Sequence, residues 1–317
     1  MSAARYQELD HGITCIDTDQ VRPGMSGCYL LRAGDEYAFI ECGTAHSTPL
    51  LLEVLKKKGV ALEQVRYVMP THVHLDHASG AGALMQALPN AQLVVHPRGA
   101  RHMIEPAKLI AGATAVYGEE NMQRMYGAIV PVPEARVIVA DDGFRLDWNG
   151  RTLEFIDVPG HCRHHYAVWD ANSRGFFTGD SFGLSYRDFD GPGGPFLFAT
   201  SSPVQFEPEA WMATLDRFLA RAPQWMYLTH YSRVGDVARL AAELRADLDA
   251  HQRIGQELAA VPDRHARLVE ALTAHELARL AALRCPLPAA RARELLEFDM
   301  ELNAQGLEIW VDRARKS

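Results

Sequence analysis

The sequence predicts an α/β fold in which helices sandwich two sheets, followed by a helical C-terminal extension. Three observations carry this. Short strand-like runs give way to helical periodicity, and the same succession repeats before residue 235. From Val237 onward, apolar residues recur only at helical spacing. Several His and Asp residues stand directly after strand-like runs, where side chains collect along one rim of a sheet.

The elements follow in order. Residues 12–17, 27–32 and 36–42 are short β-branched or aromatic-containing runs separated by Gly, Pro and Asp, and they predict antiparallel strands. Thr48–Lys58 predicts a helix: Pro49 suits the first turn, Leu51, Leu52 and Leu55 share a face, and Gly59 is a stop signal. Val65–Met69 predicts a strand, Ala78–Leu88 a helix ending before Pro89, and Gln92–His96 another strand. Within 98–130, Met103, Ile104, Leu109, Ile110, Met122, Met125 and Tyr126 are spaced for helices with a Gly-containing break. Strands resume at Arg136–Val139, Phe144–Trp148, Thr152–Val158, Tyr166–Asp170 and Gly175–Thr178. Residues 183–205, with Gly191-Pro192-Gly193-Gly194-Pro195, predict a long loop rich in aromatic rings. In the tail, Val237, Leu240, Leu244 and Leu248 mark one helix face, and Leu268, Leu272, Leu277 and Leu280 mark a later one. The expected division is a catalytic domain over 1–236 and a helical extension over 237–317.

Composition narrows the partners. The 317 residues are 48% hydrophobic and 23% charged, ordinary values for a globular chain. The net charge of −8 argues against a nucleic-acid backbone as partner. No apolar run approaches the ~20 residues of a membrane span, and Met1–Asp10 lacks the apolar core of a secretory signal. Cys15, Cys28, Cys42, Cys162 and Cys285 are an odd number without a CxxC spacing, which predicts reduced thiols and a cytoplasmic location.

The run Thr71-His72-Val73-His74-Leu75-Asp76-His77 carries the most chemistry. It gathers three imidazoles and one carboxylate, hard-to-borderline donors for a divalent transition metal. In a tight loop, His72 and His74 point one way while Asp76 and His77 turn toward a neighbouring point, so one loop can serve two ions. Three further donors stand after strand-like runs. His161 ends Val158-Pro159-Gly160-His161, Asp180 follows Phe177-Thr178-Gly179, and His230 follows Tyr227-Leu228-Thr229.

With this HxHxDH run, then His, Asp and His, residues 10–235 resemble the hydrolase branch of the metallo-β-lactamase superfamily. The resemblance implies an αββα sandwich with a metal site along one edge. It implies that His72, His74 and His161 bind one divalent ion, that Asp76, His77 and His230 bind a second, and that Asp180 bridges both. Zinc is the first expectation, and His/Asp donors also accept manganese and iron. The implied chemistry is hydrolysis by a metal-bridging hydroxide, with Asp76 and Asp180 as the catalytic carboxylates. By formal charge counting such a site stays about one unit positive. It therefore suits a small anionic substrate with a thioester, lactone or phosphoester bond. No GxSxG motif is present to suggest a serine mechanism.

The substrate side is less defined. Tyr186 and Phe196 lie in the aromatic loop after Asp180, and Tyr231 follows His230. They are candidates to line a pocket or donate to an oxyanion, against the plainer reading that the rings anchor the loop. Relatives carry Gly-His-Thr-Pro-Gly-Ser or Gly-His-Thr-Pro-Gly-His where this chain has Gly160-His161-Cys162-Arg163-His164-His165, so the turn after His161 differs. The helical tail is shared by glyoxalase-II-like thioesterases, and by some phosphoesterase and quinolone-signal thioesterase relatives. It caps the site or mediates a homodimer. Two other classes compete. A persulfide dioxygenase binds one iron through the equivalents of His72, His161 and Asp180, and a non-catalytic protein uses the fold only to bind a ligand. His74 argues against flavodiiron oxidoreductases, which usually place Glu there.

Overall fold

The computed structural model describes residues 4–201 and 204–316. The chain divides into two compact units. The first comprises 1–157, 164–179 and 229–232; the second comprises 158–163, 180–228 and 233–317.

In the first unit a seven-stranded sheet runs in sequence order. Its strands are β1 (Tyr6–Glu8), β2 (Ile13–Asp17), β3 (Gly27–Ala33), β4 (Glu36–Ile40), β5 (Val65–Met69), β6 (Gln92–Val95) and β7 (Val137–Val139). The first four strands pair antiparallel. From β4 to β7 the pairing is parallel, because a helical crossover separates successive strands. The crossovers contain α1 (Thr48–Lys57), α2 (Leu75–Ala78), α3 (Ala81–Ala87), α4 (Pro97–Ile104), α5 (Ala107–Tyr117) and α6 (Glu119–Tyr126).

Strand alternation sorts the side chains of this sheet. Cys28 and Leu30 of β3 and Leu93 and Val95 of β6 pack with Leu51, Val54 and Leu55 of α1 and Leu84 of α3. The intervening residues face β8 (Arg145–Trp148), β9 (Arg151–Asp157), β10 (Tyr166–Asp170) and β11 (Gly175–Gly179), an antiparallel meander in a second sheet. Tyr29 meets Phe177 edge-on at 5.1 Å, Tyr67 meets Trp148 at 5.8 Å, and the Tyr166 hydroxyl donates to the Val94 carbonyl at 2.9 Å. These sheet-to-sheet contacts hold two β layers face to face. One buried ion pair fastens them: Arg151 binds Asp170 and donates to the carbonyls of His11 and Arg32.

The expected helices at 48–58 and 98–130 are present, the latter broken at Gly118 between α5 and α6. The histidine run differs from expectation. The sequence predicts a loop over the histidine run, but Leu75–Ala78 forms the single helical turn α2 after an extended His74. α3 then begins separately at Ala81.

The second unit is mainly helical. It holds α7 (Pro208–Leu219), strand β12 (Trp225–Leu228) and three long helices, α8 (Val237–Glu257), α9 (Arg264–Ala282) and α10 (Ala289–Ala314). The expected apolar faces are buried, with Leu240, Leu244, Leu248, Leu268, Leu272 and Leu296 withdrawn from solvent. The loop from Asp180 to residue 201 belongs to this unit. Among the described residues, no helix is long and apolar enough to cross a membrane.

Candidate metal centre

The first unit assembles five of the expected ligands. The parallel strand β5 ends at Met69 and delivers Thr71, His72 and His74. The α2 turn then presents Asp76 and His77 one after the other. His72 Nε2 lies 2.9 Å from His74 Nδ1, so these two rings direct nitrogen atoms at one another's edge. Asp76 Oδ2 lies 3.4 Å from His77 Nε2 and 3.3 Å from His230 Nε2. Asp76, His77 and His230 therefore offer one ligand atom each within the reach of a single ion.

The opposite ring nitrogens are tied back. His77 Nδ1 meets the buried Glu41 carboxylate at 3.0 Å, and His230 Nδ1 meets the Met25 carbonyl at 2.9 Å. His72 Nδ1 meets the Thr71 hydroxyl at 3.1 Å. For His77 and His230, an acceptor at Nδ1 selects the tautomer that leaves Nε2 with its lone pair outward, as a metal ligand needs.

Glu41 organises this half and is absent from the ligand motif. It stands at the end of β4 and is buried. It accepts from Thr71 N and Oγ1, from the Thr229 hydroxyl at 2.9 Å and from His77. One carboxylate thus joins the loops carrying His72, His77 and His230. The available signal was a single acidic residue closing the apolar run Tyr37-Ala38-Phe39-Ile40. His165 also joins the group, stacking on His72 at 4.5 Å, while its Nδ1 meets the Tyr166 carbonyl.

Electrostatics favour an anionic Asp76. Burial opposes its charge, but His77 and His230 outweigh that and hold its carboxyl well below the usual carboxylate range.

The second unit holds His161 and Asp180, with Nε2 and Oδ2 3.6 Å apart. His161 Nδ1 meets the Thr200 carbonyl at 3.1 Å, repeating the arrangement of the other ligand rings. Gly160 enables the sharp entry to His161. Its φ is +136°, and a Cβ there would lie 2.4 Å from the Trp211 side chain and 2.5 Å from Trp211 Cα. Trp211 Nε1 in turn donates to Ser181 O at 2.6 Å, bracing the residue after Asp180. Gly179, with φ of +51°, precedes Asp180 in the same way, and a Cβ there would meet the Thr71 hydroxyl at 2.3 Å.

The substrate-contact candidates are placed as follows. Tyr186 is buried in the second unit, and its hydroxyl donates to both carboxylate oxygens of Asp299 at 3.1 and 3.0 Å. Phe196 is fully buried, stacked with Phe198 and covered by the Arg279 guanidinium. Both rings anchor the loop to the helices. Tyr231 lies against Gly27 and Cys15 in the first unit, where burial pushes its hydroxyl far above the ordinary tyrosine range. Arg163 pairs with Glu207.

The donor chemistry fits divalent metal ions. Imidazoles and carboxylates converge, and acceptors behind the rings orient them. Comparison with known proteins agrees. The sequence profile of the metallo-beta-lactamase superfamily matches residues 21–230. Among curated relatives, a metallo-beta-lactamase fold-containing protein, ST1585 of Sulfurisphaera tokodaii, is 26% identical over 173 residues, covering 53% of this chain and 61% of that protein. A hydroxyacylglutathione hydrolase of Aeromonas hydrophila is 36% identical over 73 residues, covering 23% of this chain and 28% of that protein. The chain thus spans less than two thirds of the length of the curated relatives it matches. The crystal structure of the archaeal ST1585 protein superposes with a TM-score of 0.65 at 20% identity, covering 98% of this chain and all of that one. With the profile spanning well over half of its length, this chain belongs to the metallo-β-lactamase superfamily.

Proposed function

We propose that the chain is a binuclear metallohydrolase acting on an ester-type bond of a small anionic molecule. The observation that carries this is the convergence of Asp76, His77 and His230 in addition to the His72–His74 pair. That second donor set gives the chain ligands enough for two ions. In this reading His72, His74 and His161 would hold one ion, Asp76, His77 and His230 would hold the other, and Asp180 would be a ligand to both. When bound, such divalent ions would supply a water of lowered pKa and polarise the bond under attack.

The residues of the chain supply the rest. Asp76, kept anionic by the two imidazoles, accepts a hydrogen bond from the attacking water and passes its proton on. Glu41 holds Thr71, His77 and Thr229 so that the rings need not reorganise during the reaction. The name of the Aeromonas relative supports placing a thioester before lactone and phosphoester bonds in the order of testing.

The test is metal analysis coupled to a substrate panel. Two equivalents of zinc, manganese or iron per chain, with hydrolysis of a thioester, lactone or phosphoester, are expected. Asp76→Asn should lower kcat by two orders of magnitude or more while the fold is kept. One equivalent of iron with oxygen consumption on a persulfide overturns the hydrolase reading in favour of redox chemistry. Two equivalents with full activity in Asp76→Asn removes Asp76 from the mechanism.

A further inference from the structure

Thr200 supplies the carbonyl that orients His161, and the chain around Thr200 is held by unusual means. No regular element includes residues 196–201. Phe198 pairs backbone to backbone with Leu184, and side chains from three helices hold the residues around it. Asn303 of α10 donates from Nδ2 to the Ala199 carbonyl at 3.0 Å and accepts at Oδ1 from Ser201 N at 2.7 Å. The Ser201 hydroxyl donates back to the Asn303 carbonyl at 3.1 Å. Asp247 of α8 accepts from Ala199 N at 2.7 Å, and Arg279 of α9 donates to the Leu197 carbonyl at 2.7 Å. Asp247 is itself held by Arg279 and His275.

Asn303 grips the residues on both sides of Thr200. Its amide spends its donor on Ala199 and its acceptor on Ser201, in a site with no solvent exposure. With both flanks pinned, the Thr200 peptide cannot rotate independently, and its carbonyl stays aimed at His161 Nδ1. That bond selects the ring tautomer whose Nε2 faces Asp180.

We propose that Asn303 is a positioning residue for the metal ligand His161, acting through the Thr200 carbonyl. The C-terminal helices then have a part in metal binding without supplying a ligand. The inference rests on the reading that His161 binds a metal ion, and the experiment separates the two.

The full-length protein is loaded with zinc and titrated against a chromophoric chelator. A parallel sample carries cobalt(II), whose visible spectrum reports the donor set. His161→Ala, Asn303→Leu and Asn303→Asp are compared with the parent, with far-UV circular dichroism as the fold control. Asn303→Leu removes donor and acceptor at similar volume. Asn303→Asp keeps the acceptor for Ser201 but sets a carboxylate oxygen against the Ala199 carbonyl. Expected for both is one ion held roughly tenfold more weakly, the other unchanged. The cobalt spectrum should shift in the direction seen for His161→Ala. Parent-like affinity and spectrum in folded Asn303 variants overturn the positioning role while leaving the ligand reading intact. His161→Ala that keeps two ions at parent affinity overturns both. If the Asn303 variants do not fold, Ser201→Ala removes only the hydroxyl bond to Asn303 O. A two- to threefold weakening there supports the proposal, and none overturns it.

Discussion

At the scale of single residues, Glu41 and Gly160 are the most exposed to test. Glu41 is a buried carboxylate whose partners in the structure include four donor atoms, and glutamine can match only part of that pattern. In Glu41→Gln the new amide N–H group must face donors. Leaving such groups mismatched costs about 1–3 kcal/mol. Because His77 loses its charged acceptor, metal affinity should fall ~10–100-fold as well. Chemical denaturation of metal-free protein reads the first effect, and chelator competition reads the second. A variant that loses stability but keeps parent metal affinity would show that Glu41 supports the fold alone. Gly160→Ala tests the entry to His161. The obstructing atoms include Trp211 Cα, so a rotamer change cannot relieve the contact, and the backbone angle is unfavourable for alanine. A loss of roughly 2–4 kcal/mol is expected from overpacking and strain together.

At the scale of elements, what the sequence reveals depends on whether the signal is local. The ligand run and the ends of β5, β11 and β12 were legible because a strand places its last residue on a rim whatever follows. α1 was legible from Pro49 and its leucine face, and α8 from its four-residue leucine spacing. The aromatic loop was legible as a loop, but not the partners of its rings. Tyr186 meets Asp299 of α10 and Phe196 meets Arg279 of α9, more than eighty positions later in the chain. Glu41, Thr200 and Asn303 were invisible for the same reason, since their role lies in partners distant in sequence. His265 illustrates a further long-range pairing, between α9 and α10. Its Nε2 meets Glu301 at 2.9 Å and its Nδ1 meets Glu308 at 3.0 Å. The Glu301 bond raises its pKa most, partial burial opposes, and Glu308 adds to the rise. A raised histidine stabilises fully below its unfolded value of 6.5, and the contribution disappears as pH climbs through the folded value. His265→Gln should therefore narrow the difference in melting temperature between pH 6 and pH 9. An unchanged difference would mean that the pair is too screened to matter.

At the scale of the whole molecule, the thiols offer a probe of each unit separately. Cys15, Cys28 and Cys42 are buried in the first unit, Cys162 is buried in the second, and Cys285 is partly exposed there. Burial pushes the Cys15 thiol up to about 11 and raises Cys28 and Cys42 well above the ordinary thiol range. Since the thiolate is the reactive form, alkylation at neutral pH must wait for local opening. In the native protein only Cys285 should label quickly, and all five should label in denaturant. The rate at each buried position then measures how often its surroundings open. Cys162 adjoins His161, and Cys42 donates through Sγ to the His77 carbonyl, so both sit directly behind expected ligands. Cys15 and Cys28 lie on β2 and β3, within the sheet. Stripping metal with a chelator removes binding energy that favours the closed state, and the loss should be felt first where the ligands attach. Labelling of Cys162 and Cys42 should accelerate several-fold more than that of Cys28, read residue by residue by mass spectrometry. Equal acceleration at every thiol would instead mean that opening is global, with the ions stabilising each unit as a single cooperative body.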